Sequence, residues 1–507
     1  MAKIQEQTSL SREQVIAILQ RLEENYPVET WYVDDIPVWP LVKIKLFFEW
    51  FRTYKKQFSE ASAGGSSPKE TGNGVAKLAK VAQGAAKFAA LMVAPVKPSA
   101  FLFTGAAVHR TDFEGKFRNK FFDPVMEHIA DEAGEDAISV DYNVIASGKK
   151  YTDSYPLLFL AAFSPFLKSL QWSKRKTIHA AMKRIDVTAF AEEIQRELGS
   201  KLSAKKFSQV IGDDIFSIEV FAFFYAKLFR KYKTKYALGL WYYHLSVYGM
   251  NLAAFRNGVV SVDVQHGSQG PTHVAYANFN KVPANGYSIL PKVFWCWEQG
   301  SADVVTAWAG RSNYHSAVVG GNPWLDFLRE RSSDLAWLPA TKRIVLYTLQ
   351  HTFLEPYILE AIAQTGDRFF WLLRLHPREL HNKGKLEAAL QERGLTTFAD
   401  IENATKIPLP LLMPNCSVHL SKYSGSIIEA ALLDIPNVIL DDLGVQNYRD
   451  LIEEGQAIAC TDMSADSLVL AIDNSISRPS MQHSDKQGAK RPNYKSIISA
   501  WIAGIKQ

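Results

Sequence analysis

An α/β protein of two Rossmann-like, doubly wound domains facing one another across a cleft, with an N-terminal helical extension in front, is the fold class this sequence predicts. Three observations lead there. The chain has 507 residues, more than a single hydrophobic core usually serves, so two domains are expected. Apolar residues make up 47% of it and charged residues 21%, the proportions of a folded chain. Short apolar or β-branched runs alternate with long helical ones in two successive series, which is the rhythm of parallel sheets covered by helices.

Residues 1–58 read as an N-terminal helical segment. Ser9 to Glu24 is a helical stretch in which Ser11 and Gln14 are spaced for a capping box, and this polar start contains no secretory apolar core. Residues 59–74 (SEASAGGSSPKETGNG) lack large apolar side chains, so a flexible linker is expected. After it Val75, Leu78, Val81, Phe88 and Met92 recur at helical spacing, with Lys77, Lys80 and Lys87 on another face. That basic amphipathic helix has two readings: its stripe packs on its own domain, or residues 75–92 touch anionic lipid headgroups from the side.

The first Rossmann-like domain is expected over 75–290. Its strands are Phe101 to Thr104, Ala137 to Val140, Tyr236 to Trp241 and Val259 to Val264, separated by helical stretches such as Val220 to Tyr232. Tyr155 to Leu167 is the most apolar stretch, too short to cross a bilayer and interrupted by Pro156 and Pro165. A hinge is expected near Tyr287 to Gln299. The second domain, 291–485, has a strand series beginning at Ala317: AVVGGNP, RIVLYTLQ, FFWLLRLHP, CSVHLSKYS, PNVILDD and AIACTD. Residues 486–507 form a closing helix.

Charge and cysteine usage exclude several classes. The net charge of +5 is the difference between 57 basic and 52 acidic residues, too weak for a nucleic-acid partner without local clustering. Cys296, Cys416 and Cys460 stand far apart with no CxxC pair, which argues against a disulfide framework and a zinc site and fits a reducing cytoplasm. There is no DxD motif placed as a metal-binding signature, although Asp213 and Asp214 are adjacent; no metal cofactor is expected.

Ligands of doubly wound sheets bind beyond the carboxyl ends of the strands, so the polar residues closing each run are the candidates. FFWLLRLHP ends in Arg374, His376, Pro377 and Arg378, a cationic cluster in which Pro377 holds His376 in extended backbone. An imidazole there can donate to a phosphate whose charge Arg374 neutralises; alternatively His376 is a loop histidine paired with Glu379. Ser421, Lys422, Tyr423, Ser424, Gly425 and Ser426 then lead into a helix, and small residues at a helix start admit an anion. Glu429 stands at capping-box spacing from Ser426. It either closes that cap or accepts from a ribose diol, and both hold if Ser426 is the cap and Ser424 the ligand contact. Gln350 and Gly320 close two further runs and belong to the same cleft.

In the first domain VVSVDVQHG ends in Gln265, His266 and Gly267, where glycine permits a turn other residues resist. His266 then faces the cleft as a proton acceptor or a donor to a departing phosphate. Asp263 shares strand parity with Gln265 and either orients the imidazole or acts as a carboxylate itself; a purely structural histidine is the competing reading. The loop His109 to Gly115 contributes Asp112 and Glu114 as candidate acceptor-activating bases, set against a solvated charged loop.

The QHG turn at 265–267, the GGNPWLD segment at 320–326, the HP pair at His376 and Pro377, and SKYSGSIIEAA at 421–431 together resemble bacterial capsule and O-antigen glycosyltransferases of the GT-B fold. The likeness spans about Phe101 to Asp462, and DDIPVWPLVK at 34–43 is similar to a leading element of such enzymes. Within that group the HP pair and serine-rich turn look most like those of transferases using CMP-activated acidic sugars, the β-Kdo transferases and the polysialyltransferases. The resemblance implies that His376, Ser421 and Ser424 contact the CMP phosphate, with Glu429 toward the ribose. Polysialyltransferases carry two adjacent acids before a glycine, whereas Phe113 here separates Asp112 from Glu114, so Kdo transfer is favoured over sialyl transfer. Implied partners are a nucleotide-sugar donor, CMP-Kdo foremost, and a glycan or lipid-linked acceptor, at a cytoplasmic site with peripheral contact to the inner face of the inner membrane. The alternatives are the same fold with CMP-sialic acid, a UDP- or GDP-sugar or a CDP-polyol as donor, or a noncatalytic glycan-binding assembly factor.

Overall fold

The computed structural model describes residues 10–58, 74–134, 136–143, 148–151, 157–331, 334–351, 353–477 and 493–506. Apart from Gly74, the expected linker lies outside them. The capping box forms as spaced: Ser11 Oγ accepts from the Gln14 N–H at 3.2 Å while Gln14 Oε1 accepts from the Ser11 N–H at 2.7 Å, opening helix Arg12–Asn25. The DDIPVWPLVK segment makes a two-strand turn and enters helix Trp39–Phe58. There the buried Lys43 donates to the carbonyls of Ala277 and Asn278 and fastens this segment to the loop after β5, defined below.

Seven strands build the first sheet: β1 (Phe101–Gly105), β2 (Ile138–Asp141), β3 (Leu157–Phe159), β4 (Tyr236–Gly239), β5 (Val260–Val264), β6 (Val293–Cys296) and β7 (Ser316–Val319). Their spatial order is β7-β6-β5-β4-β1-β2-β3, parallel throughout. Six build the second: β8 (Arg343–Thr348), β9 (Phe369–Arg374), β10 (Ala399–Asp400), β11 (Val418–Ser421), β12 (Asn437–Ile439) and β13 (Ala457–Ala459), also parallel, ordered β10-β9-β8-β11-β12-β13. Helices cover both faces of such sheets, which is why runs like Phe101–Gly105 are buried at every position instead of alternating.

One expectation is corrected. β6 lies within the supposed hinge at Tyr287 to Gln299 and β7 follows it, yet both extend the first sheet, so the change of sheet falls between Val319 and Arg343 and the run from Ala317 does not open the second series. Trp295 of β6 explains the tight fit: its indole fills the place of a side chain at Gly320, where a Cβ would come within 2.2 Å of the ring. Gly320 is therefore a packing glycine.

The two halves share an apolar seam. Ile427, Ile428, Ile439 and Tyr448 from the second belong to one buried cluster with Leu238, Val262, Trp295 and Trp297 from the first, and side chains of this size contribute about 1.5–3 kcal/mol each when fully buried. Helix Tyr494–Lys506 then crosses back to the first half, where Trp501 stacks on Tyr236 at 4.7 Å and meets Trp295 at 5.8 Å. Two doubly wound parallel sheets joined in this way are the GT-B architecture.

Candidate active site between the two sheets

In both sheets the chain winds outward from the first strand in one direction and then from the fourth in the other. The switch points, where ligands of open α/β sheets bind, lie between β1 and β4 and between β8 and β11.

At the second switch point Thr348 pairs in register with Arg374 on one side and Ser421 on the other, so the arginine and the serine-bearing strand flank it. Thr348 Oγ1 lies 2.9 Å from His419 Nε2, 3.0 Å from Ser421 Oγ and 2.9 Å from Ser426 Oγ. Ser421 and Ser426 are buried in this network. That corrects their expected roles: both hydroxyls face β8. The cap is reversed as well, because Ser424 Oγ accepts from the Ser426 N–H at 3.3 Å, and the helix Ser426–Leu432 has no capping box. Tyr423 is half-buried, and the Tyr448 hydroxyl donates to the Ser424 carbonyl at 2.8 Å. His376 is exposed at the open end of β9, just before the 3-10 turn Pro377–Asn382; the side chains of Pro377 and Arg378 lie outside the described residues. Gln350 is half-buried two residues beyond Thr348.

Glu429 is turned across the seam. Its Oε1 accepts from Asn322 Nδ2 at 3.2 Å. Burial raises its pKa, opposed by Lys120 of the first half and Arg374 of the second. Burial lowers the Lys120 pKa and Glu429 counters it, while Arg374, lowered to about 10 by burial, is likewise supported by Glu429. All three keep part of their surface open, and among the described residues no direct ion pair joins them. Two cations and one carboxylate leave one positive charge uncompensated in a site of reduced dielectric, an attractive seat for a monoanion. Arg374 is also a fastening, donating to the carbonyls of Ala404 and Ile407 at 2.5 and 2.6 Å.

At the first switch point His109 and Trp241 meet with ring centroids 5.0 Å apart, and His266 lies 6.0 and 5.7 Å from them. His109 Nδ1 accepts from the Ala106 N–H at 3.2 Å, which puts its proton on Nε2. Burial, then the field of His273, lower the His266 pKa to about 3; Lys120 pushes the same way. Among the described residues no hydrogen bond reaches its Nδ1. Gln265 is wholly buried, donating through Nε2 to the Gly267 carbonyl at 2.9 Å and Ser301 Oγ at 3.1 Å while Oε1 accepts from the Trp297 N–H at 2.6 Å. It shapes the turn and does not line the opening. Gly267 does not take a left-handed backbone. The close approach is instead at Gly425, where a Cβ would come within 3.2 Å of the Gly267 Cα and the Ser268 nitrogen. The QHG and SGS turns thus touch backbone to backbone.

Asp263 does not orient His266. It is buried, accepts from the Tyr242 N–H at 3.1 Å and the Tyr276 hydroxyl at 2.9 Å, and burial raises its pKa to about 8. The segment expected as a loop is a hairpin, Arg110–Phe113 against Lys116–Asn119, turning at Glu114 and Gly115 with φ of 50° and 72°. Asp112 pairs with Lys149, and the exposed Glu114 pairs with Arg331 at 3.4 Å. The root of the hairpin matters more: the Lys120 N–H donates to the His109 carbonyl at 3.1 Å, and the buried Arg110 holds Asp141 in a two-pronged pair at 3.0 and 3.1 Å. His109 and Lys120, not the two acids, are thereby brought to His266. Lys120 and Asn322 were missed in the sequence, although the Asn-Pro step of GGNPWLD carries a cap signal; Asn322 does accept from the Trp324 N–H at 3.1 Å. Asp213 binds Arg175 and His179, and Asp214 binds Lys45.

No protein-family model matches the chain. No curated protein matches it either. Among solved structures it is similar to the UDP-GlcNAc 2-epimerase of Methanocaldococcus jannaschii in complex with UDP-GlcNAc and UDP, at 12% identity and TM-score 0.44 over 80% of this chain and 99% of that one. It is similar to the calicheamicin glycosyltransferase CalG4 at 10% identity and TM-score 0.40 over 81% and 99%. The wall teichoic acid polymerase TagF, soaked with CDPG, is similar at 13% identity and TM-score 0.46 over 86% and 100%.

Proposed function

We propose that this protein is a cytoplasmic glycosyltransferase that takes a sugar from a CMP-activated donor, CMP-Kdo foremost, and passes it to a glycan or lipid-linked acceptor of a bacterial capsule or O-antigen. One observation carries the reading: the SGS turn of the second half meets the QHG turn of the first backbone to backbone, with Glu429 within the fields of Lys120 from one half and Arg374 from the other. The uncompensated charge suits the phosphodiester of a CMP-sugar; the carboxylate of an acidic sugar is a second negative charge, which makes the total equal to that of a diphosphate donor, so the choice of donor rests on the motifs. The QHG, HP and SKYSGS motifs support the choice of donor by resemblance.

In the proposed step the acceptor hydroxyl gives its proton to His266 and its oxygen bonds to the anomeric carbon. The bond from that carbon to the phosphate oxygen breaks, and the electron pair leaves on CMP. An imidazole whose pKa is lowered by burial to about 3 is a weak base. An incoming phosphate beside Lys120 adds negative charge and raises it. His376, at the open end of β9, closes over the phosphate from the solvent side.

Incubation with CMP-Kdo, CMP-sialic acid, UDP- and GDP-sugars and CDP-glycerol, read by release of free nucleotide, tests the proposal. CMP release from CMP-Kdo in the presence of acceptor is expected. Turnover of a diphosphate donor alone would move the assignment to that donor class, and glycan binding with no turnover of any donor would replace the transferase by an assembly factor.

A further inference from the structure

A second concave site lies in the helical region between β3 and β4, away from the residues discussed above. Its cavity, about 820 Å³, is lined by Arg175, Lys176, His179, Lys183, Arg184 and Lys205, with Asp186 as its one lining carboxylate. Asp186 is turned to the Thr188 N–H at 3.0 Å. Asp213 pairs with Arg175 at 2.7 Å and with His179 at 3.0 Å. Lys176, Lys183, Arg184 and Lys205 have no carboxylate within ion-pair distance among the described residues. A cavity with this balance attracts phosphate groups.

The surface beside it is apolar where a soluble surface is usually polar. Trp172, at the rim, is 55% exposed with the Arg175 guanidinium 5.1 Å from its ring, and Leu170, two residues earlier, is 48% exposed. Helix Ser164–Leu170 packs on helix Gly74–Val93, where a Cβ at Gly84 would stand 3.0 Å from Phe166 Cβ and Phe88 lies 5.7 Å from the Phe166 ring. The later part of the amphipathic helix uses its apolar stripe, with Phe88, Leu91 and Met92 packed on the core. Val75 and Leu78 remain 79% and 71% exposed beside Lys77 and Lys80. Exposed tryptophan and leucine interleaved with lysine and arginine are the composition of an element lying in a bilayer interface. No helix among the described residues is long and apolar enough to cross a membrane.

We infer that helix Gly74–Val93, the Leu170–Trp172 step and the basic cavity form one docking face for an anionic phospholipid surface, with a lipid phosphate seated among Lys176, Lys183, Arg184 and Lys205. The face is independent of the transferase reading, because vesicle binding needs neither donor nor turnover. The test is co-sedimentation of the full chain with vesicles of phosphatidylcholine containing phosphatidylglycerol, against phosphatidylcholine alone. Binding to the anionic vesicles only, abolished by high salt, is expected. The double variant Lys183→Ala, Arg184→Ala should lose about 25-fold in partitioning, roughly five-fold for each basic residue near a charged bilayer. Trp172→Ala should lose several-fold, with melting temperatures unchanged in both cases. Equal binding to neutral vesicles, wild-type binding by the double variant, or capture of soluble glycerol phosphate without vesicle binding would each overturn the inference.

Discussion

The two sheets share one strand order and carry opposite chemistry at the equivalent place. Between β1 and β4 the side chains are rings: His109 and Trp241, with His266 nearby, and burial keeps both imidazoles neutral at physiological pH. Between β8 and β11 they are hydroxyls, with the charges of Arg374 and Glu429 beside them. The difference teaches that winding decides where a ligand can enter, and the few residues past the strand ends decide what it can be. A neutral, aromatic wall suits a sugar ring and a proton in transit. A charged floor suits phosphate.

If the labour is divided in this way, changes on the two sides should fall in different kinetic constants. His266→Asn should lower kcat by about 10²–10⁴, the usual contribution of a positioned acid or base, with the donor KM within about three-fold of wild type. Lys120→Met should act on donor affinity, by about 1.5–3 kcal/mol for loss of a hydrogen bond to a charged group, visible in calorimetric titration with CMP. Loss of kcat in both variants at unchanged affinity would erase the distinction.

Acid should break the first half before the second. His244, His266, His273 and His315, all in the first half, are pushed by burial to about 4, 3, 3 and 4, whereas the second half has His419 at about 4. Each folded pKa lies below the unfolded value near 6.5, so the unfolded chain binds more protons and stability falls as pH drops from about 6.5 toward 3–4. The slope reaches up to about 1.4 kcal/mol per pH unit for each histidine. Hydrogen exchange at pH 5 should therefore open β4 to β6 before β8 to β12; simultaneous opening would mean that the seam, not the histidines, sets acid stability.

What could be read from the sequence divides along the same line. Most strands of both sheets announce themselves as apolar runs, because strands covered on both faces need one; β3, β6 and the two-residue β10, Ala399–Asp400, were not picked out. Which sheet a strand joins is not written in it, and β6 and β7 look like any other parallel strand. Candidate side chains were legible by type and not by direction. Ser421 and Ser426 sit in the expected turn, yet their partner is Thr348, unremarkable until β8 is set beside β11. Lys120 escaped because His109 to Gly115 was taken for a loop, although Glu114-Gly115 is a plausible hairpin turn; only the pairing of its two legs brings position 120 beside 109.

The buried hydroxyls offer a sharper contrast within the second half. Ser421→Ala leaves Thr348 with one partner fewer in a closed network, which should cost about 1–3 kcal/mol in urea unfolding and leave the donor KM unchanged. Ser424→Ala removes only the acceptor for the Ser426 N–H, so a smaller loss of about 0.5–1 kcal/mol is expected. A raised KM in the Ser421 variant would restore that residue as a phosphate ligand.

The smallest effects are expected where the sequence pointed to catalytic acids. Asp112 and Glu114 sit near the tip of the hairpin with side chains 65% and 50% exposed, facing Lys149 and Arg331. Glu114 sits at the turn, five steps of extended chain of about 3.3 Å each from His109, and each acid is held in an ion pair of its own. Exposed pairs of this kind are worth about 0–1 kcal/mol. Asp112→Asn and Glu114→Gln should therefore shift stability by less than that and leave kcat within about two-fold. Phe113, between them, packs on Trp324 at 5.4 Å and Phe327 at 6.3 Å, so Phe113→Ala should weaken the hairpin's hold on the second half more than either acid variant. Loss of turnover in Glu114→Gln at normal stability would place a base at the hairpin tip and require the two halves to close further than they do here.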